Sequence, residues 1–191
     1  DLHLMKDSNS SKRRKSSVKT SMTHSLRPPK NNENKKAWVA LGSKYEKEFV
    51  KLLGKCSIKA EINPQKKIDP YVPDLLVEGR VAELKTRRTP FFKTAKYGIS
   101  PDTATTINKK DIERYSRTNP GMVIFFWVYW PAQESYGVKV KECCGVWFAR
   151  MDKLKKICDS APVKTYENRS GEDGNKTESY IIDLNDLRQI M

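Results

Sequence analysis

The feature that most restricts the fold of this chain is an uninterrupted apolar run at residues 122–130, with the sequence MVIFFWVYW. The run is rich in β-branched and aromatic residues and does not alternate between apolar and polar positions, which is the pattern of a strand buried on both faces. Its nine residues are also far fewer than the roughly 18 that a membrane-spanning helix requires. We therefore expect a central strand with other elements packed against both of its faces.

Segments on either side of this run predict a mixed α/β domain. Residues 73–85 predict two strands that meet at a tight turn on Glu78 and Gly79. Amphipathic spacing predicts helices at residues 41–53, with Ser43 as the N-cap, at 107–117 and at 151–158. Further predictions are strands at 58–62, 138–140, 145–149 and 180–184, a short helix at 185–190, and loops at 86–106 and 167–179. The predicted fold class is α/β, with a mixed central β-sheet flanked by helices.

The charge of the chain is unevenly distributed. It has 37 Lys and Arg residues against 23 Asp and Glu residues, a formal net charge of +14 over 191 residues. Residues 1–36 contain ten of the basic residues, three of the acidic ones and no aromatic residue. Such a segment buries too little apolar surface to offset its ordering entropy, so we predict a disordered basic N-terminal arm at 1–36 and one domain at 37–191. The domain keeps half of the net charge of +14, which favours a polyanionic partner such as nucleic acid.

A basic cluster at residues 12–15, which includes Arg13 and Arg14, has two interpretations. It is similar to a nuclear localisation signal, and such runs also bind nucleic acid without sequence preference. The apolar residues near the start of the chain, Leu2, Leu4 and Met5, are too few for a secretory signal. We expect an intracellular protein without a membrane partner, cytoplasmic, or nuclear if its source is eukaryotic.

The positions of histidine and cysteine exclude several kinds of site. Both histidines, His3 and His24, lie in the predicted arm, so residues 37–191 cannot form a Ser-His-Asp or Cys-His catalytic group or an imidazole metal site. The four cysteines form no C-x-x-C pair, which favours reduced structural thiols over zinc ligands. Catalysis by this domain would therefore depend on carboxylates, lysines or tyrosines.

The predicted hairpin brings acidic and basic residues together at one end. If its turn falls on residues 78–79, Asp74 stands opposite Glu83. Opposed side chains have Cβ atoms about 4.5–5.5 Å apart, and two carboxylates at that distance repel unless a cation lies between them. Lys85 projects from the same face as Glu83, and the backbone carbonyl of Leu84 adds a further oxygen. Hard oxygen ligands suit Mg²⁺ or Mn²⁺, so the cluster predicts a site for hydrolysis of a phosphate ester. In such a site Lys85 orients the attacking water or stabilises the pentacovalent transition state.

The spacing of these residues resembles a nuclease family. Pro73-Asp74, eight intervening residues, Glu83-Leu84-Lys85, and Tyr45-Glu46 on an upstream helix are similar to the PD-(D/E)XK superfamily. That superfamily includes restriction endonucleases, Holliday-junction resolvases and transposon end-cleaving enzymes. The resemblance covers residues 41–130 and implies a restriction-endonuclease-like core.

The resemblance also implies roles for individual residues. It implies that Asp74 and Glu83 bind the metal, that Lys85 assists the water, and that a glutamate of the upstream helix joins the site. We prefer Glu46 to Glu48 for that last role because Glu46 lies nearer the core-facing side of the predicted helix. The predicted function is therefore an Mg²⁺-dependent DNA endonuclease, with Mn²⁺ as an alternative ion.

The segment after the hairpin combines basic and aromatic residues, a composition that suits phosphate contact and base stacking. Burial of Phe91 and Phe92 in the core, with solvated lysines around them, is an equally good interpretation. The residues predicted to contact nucleic acid are Arg13 and Arg14 in the arm, Arg87, Arg88, Lys93 and Lys96 after the hairpin, and Lys109 and Lys110 on the next helix.

Several alternatives remain open at this stage. The chain could be a catalytically inactive nucleic-acid-binding module of the same fold, or an RNA endonuclease similar to viral cap-snatching enzymes, although these usually add a metal-binding histidine. It could also cut one strand within a larger complex. Because two cuts on a duplex need two active sites, a homodimer or a partner protein is expected for a double-strand cutter. A three-residue turn at 78–80 would shift the register and separate Asp74 from Glu83.

Overall fold

The computed structural model describes residues 35–166 and 177–191. The helices in these residues are α1 (Lys35–Lys55), α2 (Lys109–Thr118) and α3 (Met151–Ser160), with 3₁₀ helices at Pro64–Lys67, Phe92–Tyr97 and Leu184–Asp186. The strands are β1 (Ala60–Ile62), β2 (Leu75–Val77), β3 (Arg80–Arg87), β4 (Ala104–Asn108), β5 (Val123–Trp130), β6 (Gln133–Ser135), β7 (Val138–Val140), β8 (Cys143–Arg150), β9 (Val163–Tyr166), β10 (Thr177–Asp183) and β11 (Arg188–Gln189).

A six-stranded mixed sheet forms the centre of the fold, in the order β1-β2-β3-β5-β8-β11. Strands β3 and β5 are parallel, and the other neighbouring pairs are antiparallel. A three-stranded sheet, β4-β10-β9, and the hairpin of β6 and β7 are separate from it. The predicted class, a mixed α/β fold with a mixed central sheet and helices, is confirmed.

Strand β5 is buried along almost its whole length, as its sequence predicts. Its alternate side chains enter two hydrophobic cores. Phe125 and Trp127 pack with residues of α1, whereas Ile124 and Phe126 pack with residues of α2 and α3. The central strand is therefore covered by one helix on one face and by two helices on the other.

Helix α1 is longer than the predicted segment. It begins at Lys35 instead of residue 41, so the last two residues assigned to the arm are helical and Ser43 lies inside the helix instead of capping it. Residues 35–40, KKAWVA, contain neither glycine nor proline, so helical hydrogen bonding continues beyond the amphipathic stretch. Residues 1–34, and with them Arg13, Arg14 and the rest of the predicted arm, lie outside the described residues.

Helix α2 begins two residues later than predicted. The side chain of Asn108 accepts a hydrogen bond from the Lys110 N–H at 2.9 Å and caps the helix. Ile107 belongs to β4 instead. In the described part of the chain, no helix is long and apolar enough to cross a membrane.

Two predicted loops and the predicted last helix are wrong in part. Residues 86–106 include the end of β3, a 3₁₀ helix and most of β4, because β4 pairs with β10 far along the chain. Residues 177–179 belong to β10, whereas 167–176 lie outside the described residues. Instead of a helix at 185–190 there is a 3₁₀ turn followed by β11, which pairs with β8. Each of these strands depends on a distant partner, which a local pattern does not reveal.

Candidate active site

The hairpin of β2 and β3 has the register predicted from its sequence. Leu75 pairs with Ala82, and the connecting loop is the two residues Glu78 and Gly79. Both loop residues have positive φ angles, 49° and 73°, as a type I′ turn requires. Glycine adopts such a φ without strain, so Gly79 is well suited to end the turn.

Asp74 lies next to Glu83 where this hairpin opens. Continuing the register by one residue places them opposite each other at a non-hydrogen-bonded position, where side chains approach most closely. The Asp74 N–H donates to Glu83 Oε2 at 3.3 Å, and the Leu84 N–H donates to Asp74 Oδ2 at 3.3 Å. Because the N–H and C=O of one strand residue point to the same edge, the Leu84 carbonyl also faces this side. The three predicted sources of oxygen ligands therefore lie together.

The ammonium group of Lys66 connects Asp74 to helix α1. Lys66 Nζ is 2.5 Å from Asp74 Oδ1 and 2.7 Å from Glu46 Oε1. Glu48 instead pairs with Lys51 at 3.1 Å, and its side chain is 39% exposed against 12% for Glu46. Of the two helix glutamates considered from the sequence, Glu46 is the one that reaches the hairpin.

Lys85 contacts carboxylates on two different elements. Its Nζ is 2.9 Å from Glu83 Oε1 on the same strand and 2.8 Å from Asp111 Oδ2 in the first turn of α2. Asp111 is also 3.2 Å from the guanidinium of Arg114. The ammonium of Lys85 is therefore held between the central sheet and the helix that covers it.

Tyr115 fixes the carboxylate of Glu83 from the same helix. Its hydroxyl donates to Glu83 Oε2 at 3.0 Å, and both side chains are buried. The guanidinium of Arg114 lies over the Tyr115 ring, 4.4 Å from the ring centroid. Glu83 thus has partners in the Asp74 N–H, Lys85 and Tyr115, as a buried carboxylate requires.

Burial changes the ionisation of the site. Removal from water raises the pKa of Glu83, and the charge of Asp74 adds to this effect while Lys85 opposes it. Burial likewise raises the pKa of Glu46, against the hydrogen bond from Lys66. Burial lowers the pKa of Lys85, but the charges and hydrogen bonds of Glu83 and Asp111 raise it by more. The pKa of Lys85 therefore lies above its usual value. The same balance raises the pKa of Lys66, and both lysines are therefore ammonium ions at neutral pH.

The donors present suit a hard divalent cation bound with incomplete protein coordination. In the described part of the chain, no three His, Cys, Asp or Glu side chains form a group that could hold a metal ion. Mg²⁺ does not need such a group, because one or two carboxylates with water and phosphate oxygens commonly hold it. Asp74 and Glu46 already share one cation, the ammonium of Lys66, so this position attracts positive charge. Asp74, Glu83 and the Leu84 carbonyl are the oxygens that would hold Mg²⁺ or Mn²⁺ here.

Sequence reasoning missed three members of this cluster. Lys66 lies in a segment without periodicity, and nothing local distinguishes it from neighbouring lysines. Asp111 and Tyr115 are four residues apart and therefore share one face of α2, which was the available signal. The sequence analysis assigned neither residue to the site.

Two of the exposed lysines predicted to contact nucleic acid lie beside aromatic rings. Lys93 Nζ is 4.4 Å from the ring centroid of Tyr136, which is 77% exposed, and Lys96 Nζ is 4.8 Å from that of Tyr97. Lys110 is exposed in the first turn of α2. These three lysines are accessible to a phosphate backbone, and their contact with nucleic acid stays a prediction.

The other basic residues predicted to contact nucleic acid have partners within the fold. Arg87 donates to the backbone carbonyls of Thr86 at 2.8 Å and Thr106 at 2.5 Å, which ties β3 to β4. In the same way, Arg88 donates to the Tyr45 hydroxyl at 3.0 Å, and Lys109 pairs with Glu178 at 2.9 Å. For these residues the structure gives a stabilising role that the sequence did not indicate.

Comparisons of the chain with protein-family models, with curated proteins and with solved structures found no match. The likeness to the PD-(D/E)XK superfamily therefore remains a resemblance of motif and spacing. Functional conclusions for this chain depend on the chemistry and positions of its own residues.

Proposed function

We propose that this protein is a metal-dependent endonuclease that hydrolyses phosphodiester bonds in DNA, built on a restriction-endonuclease-like core. The observation that carries the proposal is the meeting of Asp74, Glu83 and Lys85 where the hairpin opens. Glu46 reaches the same cluster from α1 through Lys66. The net charge of +14 supports a polyanionic substrate.

Asp74 and Glu83, with the Leu84 carbonyl, are the proposed cation ligands. Mg²⁺ or Mn²⁺ bound by them would supply acidification of a water molecule and neutralisation of charge on the scissile phosphate. The contribution of the protein is orientation. The Tyr115 hydroxyl and the Asp74 N–H both donate to Oε2 of Glu83 and keep that carboxylate directed towards Asp74.

Lys85 is proposed to position the nucleophilic water and to stabilise the transition state. An ammonium has three N–H donors, and in the described residues two of them are directed to Glu83 and Asp111. The third is available for a water or a phosphate oxygen. Because its carboxylate partners raise the pKa of Lys85, the group acts as a fixed positive charge and a donor, not as a general base.

DNA is preferred to RNA as the proposed substrate. Residues 37–191 lack the histidine that similar cap-snatching RNA endonucleases usually add to their metal site. Exposed Lys93, Lys96 and Lys110 are the proposed phosphate contacts of the domain. Cleavage of both strands of a duplex would require a second copy of the chain or a partner protein.

The test is incubation of the purified protein with supercoiled plasmid, single-stranded DNA and RNA, each with Mg²⁺, Mn²⁺ or EDTA. Glu83→Ala and Asp74→Ala should lower cleavage at least about a hundredfold, while DNA binding stays equal or tightens because repulsion of the phosphate is reduced. Glu48→Ala is the control, since it also removes a carboxylate but one that pairs with Lys51 outside the site.

The products decide between the proposal and its alternatives. Metal-dependent cleavage of DNA that disappears in both site variants and persists in Glu48→Ala supports the proposal. Cleavage of RNA alone would show that the protein is an RNA endonuclease that uses the same site. A gel shift without cleavage under any metal condition would identify a binding module, and undiminished cleavage by Glu83→Ala would refute the assigned site.

A further inference from the structure

The position of Lys66 carries an inference beyond the roles assigned by the family resemblance. Its ammonium lies between a carboxylate of α1 and one at the start of β2, at 2.7 Å from Glu46 and 2.5 Å from Asp74. The three side chains are 12–22% exposed, so water screens them only partly. Two carboxylates this close to one ammonium would repel each other in its absence.

Lys66 is brought to this position by a well-anchored segment. The buried side chain of Asn63 accepts from the Gln65 N–H at 3.1 Å and donates to the Pro73 carbonyl at 2.9 Å. The Asn63 N–H donates to the Asp74 carbonyl at 2.9 Å. These bonds fix both ends of the segment that carries Lys66, so its contact with Asp74 follows from the path of the backbone.

The charges of the cluster leave room for a stronger cation. Lys66 and Lys85 together contact four carboxylates, and Arg114 contacts one of the four, which gives these seven side chains a formal charge of −1. Lys66 contributes one positive charge beside Asp74, which is also one of the proposed ligands of the metal. A divalent ion would supply twice that charge, whereas a monovalent ion would gain nothing over the ammonium.

We propose that Lys66 is an internal cation of the active site, which holds Glu46 and Asp74 together without metal and is displaced when a divalent ion binds. This inference rests on the proposed metal-dependent function. Lys66 thereby sets the metal affinity and selects divalent over monovalent ions.

The first test compares Lys66→Met with the matched control Lys67→Met, which removes the neighbouring exposed ammonium from the same 3₁₀ helix. Lys66→Met should bind Mn²⁺ about tenfold more tightly than the wild type by isothermal titration, because the ion no longer competes with an ammonium held by two charged hydrogen bonds. In EDTA the same variant should melt at a lower temperature, and Mn²⁺ should raise its melting temperature more than that of the wild type. Lys67→Met should match the wild type in both measurements.

The second test uses the wild-type chain and does not depend on folding of a variant. Lysine acetylation followed by peptide mass spectrometry should find Lys66 protected in EDTA and several-fold more reactive with saturating Mg²⁺. The reactivity of Lys67 should not change. Equal Mn²⁺ affinity in the wild type and Lys66→Met, or unchanged protection of Lys66 with Mg²⁺, would overturn the inference.

The two proposals fail in different ways. If Mn²⁺ binds the wild type and DNA is cleaved, but Lys66 shows neither effect, only the displacement of Lys66 is refuted. If neither the wild type nor Lys66→Met binds Mn²⁺, the metal-dependent function is refuted as well.

Discussion

At the scale of single residues, each ammonium in the candidate site is matched by carboxylates from different segments. Lys85 joins β3 to α2 through Asp111, and Lys66 joins the segment before β2 to α1 through Glu46. Removing one partner of a buried pair leaves the other uncompensated, which costs more than the intact pair contributes. Single substitutions here should therefore lower the free energy of unfolding as well as alter function.

Asp111→Asn tests whether Asp111 acts by positioning Lys85. The amide keeps the shape of the side chain but removes its charge, so Lys85 Nζ is held less firmly and cleavage should fall about tenfold to a hundredfold. Mn²⁺ affinity should not change, because the contacts of Asp111 are with Lys85 and Arg114 and not with the proposed ligands. Single-turnover cleavage and Mn²⁺ titration measure the two quantities, with exposed Glu113→Gln on the same helix as the control. A loss of Mn²⁺ affinity as large as that of Asp74→Ala would contradict this role.

At the scale of elements, the sequence predicted correctly those strands and turns that are determined by residues within one short stretch. The apolar run of β5 and the two-residue turn at Glu78 and Gly79 lie within short stretches, so burial and register followed from them. Strand β4 was missed because its partner, β10, lies some 70 residues further along the chain. The start of α1 was misplaced because the amphipathic stretch used for the prediction begins at residue 41, whereas the helix begins at Lys35.

The same distinction applies to the candidate site. The position of the turn fixes which residues of a hairpin stand opposite each other. The pairing of Asp74 with Glu83 could therefore be predicted once the turn was located. The contact of Lys66 with Asp74 depends on the path of the segment anchored by Asn63. No periodic pattern encodes such a path, because it results from buried hydrogen bonds between residues ten positions apart.

Replacing glycine by alanine should have opposite effects on stability in the hairpin turn, at Gly79, and in helix α1, at Gly42. Gly79 has φ of 73°, so Gly79→Ala should cost about 1–2 kcal/mol of unfolding free energy. Gly42→Ala, inside α1, should raise the free energy of unfolding by about 0.5–1 kcal/mol because alanine loses less backbone entropy than glycine on folding. A Cβ meets no atom within 4 Å at either position, so the difference reports backbone conformation alone. Urea unfolding with equal m-values measures both, and a neutral Gly79→Ala would argue against the left-handed turn.

At the scale of the whole molecule, the net positive charge of the chain and the negative charge of the candidate site act over different distances. The chain carries +14, yet the candidate site contains four carboxylates against two lysines and one arginine. Positive charge spread over the surface attracts a polyanion over about a Debye length, roughly 8 Å at physiological ionic strength. The acidic cluster acts at contact distance and attracts small cations. This arrangement suits an enzyme that must bring a phosphate and a divalent ion to one place.

Residues 1–34 supply eight of the 37 basic residues, so their removal should weaken DNA binding in a salt-dependent way. They contain eight Lys and Arg residues, and each phosphate that they neutralise contributes about 0.9 to the slope of log affinity against log salt concentration. Fluorescence anisotropy over a range of NaCl concentrations should give a shallower slope for the chain without residues 1–34. The double variant Arg13→Gln, Arg14→Gln should lower the slope by about two. The single-turnover cleavage rate at saturating DNA should stay the same, because the proposed catalytic groups all lie beyond residue 40. An unchanged slope after deletion would show that the domain alone makes the phosphate contacts, and an altered saturating rate would show that residues 1–34 act at the site itself.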